Sequence, residues 1–132
     1  MAHVLLVDDD DDIRDNTTLR LQMHGYDVTA VADAHAARTA TAAHTFDVAI
    51  LDIDLPDTDG ITLLRQLRAD KNTATLPVLV YTSHWSAAVA AEATPLADAY
   101  LTKSQSLARL VQTVGDLTTP GQPATAAPPR AG

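Results

Sequence analysis

A doubly wound α/β domain, with a five-stranded parallel sheet between two layers of helices, is the fold class this sequence predicts. Three observations predict it. Five short apolar runs, starting near His3, Tyr26, Val48, Val78 and Ala99, alternate with five longer segments of helical pattern. The run Val48 to Leu51 has no polar alternation, as in strands buried on both faces of a parallel sheet. Every run but the second stops at a charged or hydroxyl side chain, and in open parallel sheets ligands bind outside the carboxyl ends of the strands.

The first strand is HVLLV, His3 to Val7, and it ends at Asp8 and Asp9. Asp10, Asp11 and Asp12 precede Ile13, Thr17 and Leu21, which share one helix face at i, i+4 and i+8. Acids at that end cap a helix and oppose its dipole, so these three are structural. The helix closes at His24-Gly25, with Gly25 as the stop. Tyr26 to Val31 alternates as the second strand, and an Ala-rich helix follows from Asp33 to His44. The third strand sits in FDVAILDIDLPDTDG, Phe46 to Gly60, and delivers Asp52 and Asp54 to a loop with Pro56 and an Asp59-Gly60 turn signal. Ile61, Leu64 and Leu67 then mark a helix over Asp59 to Ala69. Pro77 introduces the fourth strand, Val78 to Tyr81, which ends in Thr82 and Ser83. A short Ala-rich helix over Ser86 to Ala93 is broken by Thr94-Pro95. The fifth strand, Ala99 to Thr102, ends at Lys103, and the last helix covers Ser106 to Leu117 with Leu107, Leu110, Val111 and Val114 on one side.

At 132 residues the chain is one domain, long enough to bury roughly two thirds of its unfolded surface without disulfides. Residues 1–118 form that domain. The tail, 119–132, holds four of the seven prolines and little that could pack, so it reads as disordered. No cysteine, no charged-then-apolar leader and no membrane-length apolar run point to a cytoplasmic protein without membrane insertion. The net charge of -8, carried by Asp with Glu92 as the only Glu, disfavours direct binding to nucleic acid. Clustered acid suits a cation instead.

Asp8 and Asp9 lie at the strand end itself, where adjacent carboxylates repel unless a cation lies between them. Asp52 ends the central strand. The topology brings these three, Thr82, Ser83 and Lys103 to one edge of the sheet.

This set resembles the receiver domain of bacterial two-component response regulators. The motifs are VLLVDD, FDVAILDIDLPDTDG, LPVLVYTS and ADAYLTK, in this order and at these spacings, from Ala2 to about Leu117. The resemblance implies a flavodoxin-like sheet of strand order 2-1-3-4-5 and a stand-alone signalling phosphoacceptor that catalyses only its own phosphorylation and dephosphorylation. It implies Asp52 as the residue that takes a phosphoryl group from a phosphohistidine, and Mg²⁺ held by Asp9 directly, by Asp8 largely through water, by Asp52 and by the backbone carbonyl of Asp54. Oxygen ligands with waters left on the ion are what Mg²⁺ prefers. Thr82 and Lys103 would bind phosphoryl oxygens. Thr82 and Tyr100 would act as a switch, Tyr100 turning inward once Thr82 is drawn toward the phosphorylated Asp52. Asp54 and His84, two residues beyond Asp52 and Thr82, would tune hydrolysis. The implied partners are a sensor histidine kinase or histidine phosphotransfer protein and a protein target read out at the fourth helix, fifth strand and fifth helix.

Three departures stand out. Ser104 follows Lys103 where the family usually has a cis proline, and a cis bond before serine would cost about 2.5 to 4 kcal/mol. Asn16 and Arg20 take usually apolar first-helix positions while Leu19 and Met23 lie on the other side, as either an exposed apolar contact site or a rotated helix. The stretch Ala87 to Ala97 is short of large side chains.

Other classes fit less well. Asp52-Ile53-Asp54 resembles the opening of DxD aspartate phosphatases, but Pro56 stands where their hydroxyl residue should be. Asp57, Asp59 and Gly60 imitate part of an EF-hand, whose first and last ligands would then be Leu55 and Gln66. A phosphorylation-independent binding module on the same fold is the remaining alternative.

Overall fold

The computed structural model describes residues 2–83 and 85–118. Expectations for the 119–132 tail and for His84 lie outside the described residues. Ten elements alternate: β1 (His3–Val7), α1 (Asp11–Met23), β2 (Asp27–Val31), α2 (Ala34–Ala43), β3 (Val48–Leu51), α3 (Gly60–Ala69), β4 (Val78–Thr82), α4 (Ala87–Ala93), β5 (Ala99–Thr102) and α5 (Leu107–Thr118). The strands form one parallel sheet in the order β2-β1-β3-β4-β5.

Alternation along the strands sorts the apolar side chains into two cores. Leu5, Val7, Ala49, Leu51, Val78 and Val80 face α2, α3 and the end of α4. Val4, Leu6, Val48, Ile50, Leu79 and Leu101 face α1 and α5. Three helices on one face and two on the other give the expected three layers.

The helix starts follow the predicted acids and hydroxyls. Asp10, Asp33, Asp59 and Ser86 are the N-caps of α1 to α4, each side chain accepting a backbone N–H in the first turn. Ser106 does the same for Arg109 at the start of α5. Gly25 has φ +88° just beyond α1, a left-handed conformation that favours glycine. Tyr26 lies outside β2 because its N–H donates to Leu21 O at the helix end.

Two open points are decided. α1 buries Thr17 and Leu21 and half-buries Ile13, so it is not rotated, and Leu19 and Met23 are 58% and 72% exposed. The described residues contain no cis peptide bond, so Lys103–Ser104 is trans, and Ser104 Oγ lies 2.7 Å from Thr102 Oγ1.

Candidate functional site

Each residue at the site continues a strand whose backbone bonds place it. The Asp8 N–H donates to Val31 O at 3.1 Å and the Asp52 N–H to Val7 O at 3.0 Å. On the other side the Lys103 N–H donates to Thr82 O at 3.0 Å. The ladders therefore run one residue past the paired strands and carry these side chains to the carboxyl edge.

There the structure brings the predicted acids together. Carboxylate oxygens of Asp8, Asp9 and Asp52 lie within 4.8 Å of one another. Asp8 and Asp52 are buried, at 1% and 3% exposure, whereas Asp9 is exposed. Lys103 Nζ donates to Asp52 Oδ2 at 2.7 Å and sits 2.7 Å from Asp8 Oδ2. The second contact has the same length, so Lys103 bridges the two carboxylates.

The charges follow from this geometry. Burial pushes the Asp8 carboxyl above the ordinary carboxylate range, and Lys103 and the Asp10 N–H pull it back only in part. Burial acting alone would lower the Lys103 ammonium, but its bonds to Asp52 and Asp8 outweigh that and leave it raised. Two buried carboxylates share one ammonium, so the pocket keeps an excess of negative charge. An oxygen-only donor set of three carboxylates, two of them buried with one ammonium between them, fits a hard divalent cation.

The loop after β3 is folded tightly over this edge. The Asp54 N–H donates to Asp52 Oδ1 at 3.1 Å, Asp54 and Asp59 form an antiparallel bridge, and the Gly60 N–H donates to Ile53 O at 2.8 Å. A Cβ on Gly60 would lie 2.4 Å from Asp52 O and 2.6 Å from Ile53 Cα, so only glycine admits this approach. The Asp54 side chain is exposed.

Thr82, the last residue of β4, is fully buried and pairs in register with Thr102. Tyr100 is buried too, and packs against half-buried Trp85 with ring centroids 5.3 Å apart and the planes tilted by 60°. Its hydroxyl donates to Thr94 O at 2.6 Å and lies within 3.1 Å of Ala93 O and Ala97 O. Because α4 runs back from the carboxyl end of β4 to the amino end of β5, that hydroxyl points away from Asp52.

Three contributors escaped sequence reasoning. Arg14 donates to Asp8 O at 2.9 Å and pairs with Asp11, steadying the turn that carries Asp8 and Asp9. Only the i,i+3 pairing of Asp11 with Arg14 is a local signal. Asp57 bonds to the first turn of α2, and Arg68 donates to Leu96 O and Asp98, tying α3 to the turn before β5. Neither has a local sequence signal. A cavity of about 560 Å³ opens at the opposite edge of the sheet, beside His44–Asp47 and Asn72–Pro77, and contains none of the site residues.

Comparison with known proteins shows what the chain is similar to. A family model described as the response regulator receiver domain matches residues 4–115. The chain is 37% identical over 83 residues to the DNA-binding dual master transcriptional regulator RpaA of Synechocystis sp., covering 63% of this chain and 34% of that one. It is 40% identical over 83 residues to the virulence transcriptional regulatory protein PhoP of Salmonella typhimurium, covering 63% and 36%. The chain thus spans about a third of the length of these curated relatives. Among solved structures, chemotaxis protein CheY4 of Vibrio cholerae superimposes with a TM-score of 0.83 at 30% identity, covering 89% of this chain and 98% of that one. Response regulator TrrA of Thermotoga maritima, in complex with Mg(2+)-BeF, gives 0.79 at 25% identity, covering 89% and 99%.

Proposed function

This chain belongs to the response regulator receiver domain family, and on that premise we propose that Asp52 accepts a phosphoryl group from the phosphohistidine of a sensor kinase or histidine phosphotransfer protein. The observation that carries the reading is the pairing of one ammonium, Lys103, with two buried carboxylates, Asp8 and Asp52, at 2.7 Å each.

The Asp52 carboxylate attacks phosphorus, the phosphorus–nitrogen bond to the donor imidazole breaks, and an acyl phosphate forms on Asp52. The nitrogen keeps the bonding electron pair. Mg²⁺, held by Asp8, Asp9, Asp52 and the Asp54 carbonyl, would supply charge neutralisation for the phosphoryl oxygens. Lys103 already touches Asp52, so a short swing moves its ammonium from carboxylate to phosphoryl oxygen without rebuilding the site. The Thr82 hydroxyl, on the neighbouring strand end, donates to another phosphoryl oxygen. Asp54, whose side chain is exposed, would steer or repel the water that hydrolyses the acyl phosphate, and His84 is assigned the same role from the sequence alone.

Drawing Thr82 toward the phosphoryl group frees the Tyr100 ring to leave the end of α4 and turn toward the site. The Tyr100 hydroxyl then gives up the carbonyls of α4's last turn, and the face formed by α4, β5 and α5 changes for a partner protein. The chain is accordingly a signalling phosphoacceptor whose only catalysis is its own phosphorylation and dephosphorylation. Net charge of -8 supports protein contact over direct contact with nucleic acid. No helix among the described residues is long and apolar enough to cross a membrane, and the placement that fits a kinase partner is the cytoplasm.

The test is intact mass after incubation with acetyl phosphate, with and without Mg²⁺, for the wild type and Asp52→Asn. One Mg²⁺-dependent phosphoryl group, absent from the variant, is expected. No adduct where a control receiver is labelled would instead mark a phosphorylation-independent module.

A further inference from the structure

We infer that Asp57 is a positioning residue, tying the loop that carries Asp54 to the N-terminus of α2 and so holding the metal-binding edge of the site in shape. The inference rests on the reading of Asp52 and the Asp54 carbonyl given above. Asp57 takes no part in the chemistry itself.

The loop from Asp52 to Gly60 is pinned at its base, where Asp54 and Asp59 form an antiparallel bridge. At its start the Asp54 N–H holds to Asp52 Oδ1, and at its end Gly60 is locked against the backbone of Asp52 and Ile53. Between those points Leu55 packs against the core, but Pro56 and Asp57 are exposed, so packing does not hold the tip of the loop. The Asp57 carboxylate supplies the missing restraint. Its Oδ1 accepts the Ala34 N–H at 3.0 Å and its Oδ2 the His35 N–H at 2.9 Å.

Those two donors belong to the first turn of α2, whose N–H groups have no partner within the helix. Asp33, the local N-cap, accepts the next N–H, that of Ala36, at 2.8 Å. Two carboxylates from separate parts of the chain thus divide the first turn between them. The helix N-terminus favours a negative charge, and the Ala34 and His35 N–H groups hold the Asp57 carboxyl below its ordinary range. Charge and geometry make this a two-pronged tether to the end of β2, the strand whose Val31 O fixes Asp8. Loop and acid pair are joined through one corner of the sheet.

A residue that only stabilises α2 and one that positions the metal edge differ in what they move. Asp33→Ala removes a cap from the same turn without touching the loop, and so serves as the control for helix stability. The experiment is an NMR titration with Mg²⁺ alone on the wild type, Asp57→Ala, Asp57→Asn and Asp33→Ala, with amide exchange at Ala34 and His35. Asp57→Ala is expected to bind Mg²⁺ about fivefold more weakly, the low end of a coupling between distinct sites. Asp57→Asn, which keeps one acceptor oxygen, should fall between, and Asp33→Ala should match the wild type. Mg²⁺ should slow exchange of the Ala34 and His35 amides in the wild type and leave it unchanged in Asp57→Ala, since coupling between two sites is reciprocal. Unchanged Mg²⁺ affinity in Asp57→Ala, or an equal loss in Asp33→Ala, would overturn the positioning role while leaving the phosphoacceptor reading intact. A wild type that fails to bind Mg²⁺ would overturn that reading, and this inference with it.

Discussion

Replacing Lys103 with methionine isolates the electrostatic balance of the site. The lysine side chain is only 10% exposed, and it lies 2.7 Å from two carboxylates whose side chains are 1% and 4% exposed. Removing one partner of a buried ion pair typically costs about 3–5 kcal/mol, because the remaining charge is left uncompensated. The site opens on the sheet edge, so water recovers part of that, and a loss of about 3 kcal/mol is expected at pH 7. With a urea m-value of about 2 kcal/mol/M this lowers the denaturation midpoint by about 1.5 M.

The pH dependence has a definite sign. The folded-state pKa of Lys103 is raised, so its contribution in the wild type is complete below the ordinary lysine value of 10.5 and disappears as pH climbs through the folded value. Asp8 is raised as well, and without the ammonium it rises further. An ionised carboxylate of raised pKa destabilises the fold, so the deficit of Lys103→Met should shrink as pH falls through the Asp8 value. Mg²⁺ at ten times its dissociation constant should stabilise the variant by about 1.4 kcal/mol over its metal-free form. Urea denaturation of both proteins at several pH values, with and without Mg²⁺, measures all of this. A variant within about 0.5 kcal/mol of the wild type at pH 7 would refute the claim that Lys103 compensates buried carboxylates.

Three further outcomes follow from packing and hydrogen bonding. Gly60→Ala places a Cβ against Asp52 O and Ile53 Cα, and with backbone rather than a pliable side chain in the way its cost should reach about 3 kcal/mol in chemical denaturation. Thr17→Val should raise stability by about 1 kcal/mol, since the buried Thr17 hydroxyl has no hydrogen-bond partner among the described residues and the substitution keeps its shape; a lower denaturation midpoint would show that the hydroxyl is satisfied. Tyr100→Phe withdraws the donor from Thr94 O at a cost of about 1–2 kcal/mol, and hydrogen exchange should quicken in the last turn of α4 and not in α1.

Much of this molecule is readable along the chain. Val48 to Leu51 is apolar without alternation because β3 is covered on both faces, and the same reasoning holds for β1 and β4. Asp10, Asp33, Asp59 and Ser86 declare their helices because a cap acts on N–H groups two or three residues away. Asp8, Asp52 and Lys103 were legible as candidates because parallel strands must open their carboxyl ends on one edge. Whether Leu19 and Met23 faced outward was open in the sequence, since both faces of α1 carry apolar residues. Only docking Thr17 and Leu21 against the sheet settled it.

What the sequence determined by itself is therefore local or periodic: ten elements, their caps, the layered fold and the acids and lysine at strand ends. Tertiary structure decided the contacts that join distant segments. The Asp57 carboxylate meets Ala34 and His35 across more than twenty residues, Arg14 reaches back to the Asp8 carbonyl, and Arg68 clasps the turn before β5. The Tyr100 hydroxyl likewise points to the end of α4 rather than toward Asp52. Side-chain periodicity and capping act within a turn or two of chain, whereas these bonds exist only once the sheet has brought separate loops to a common edge.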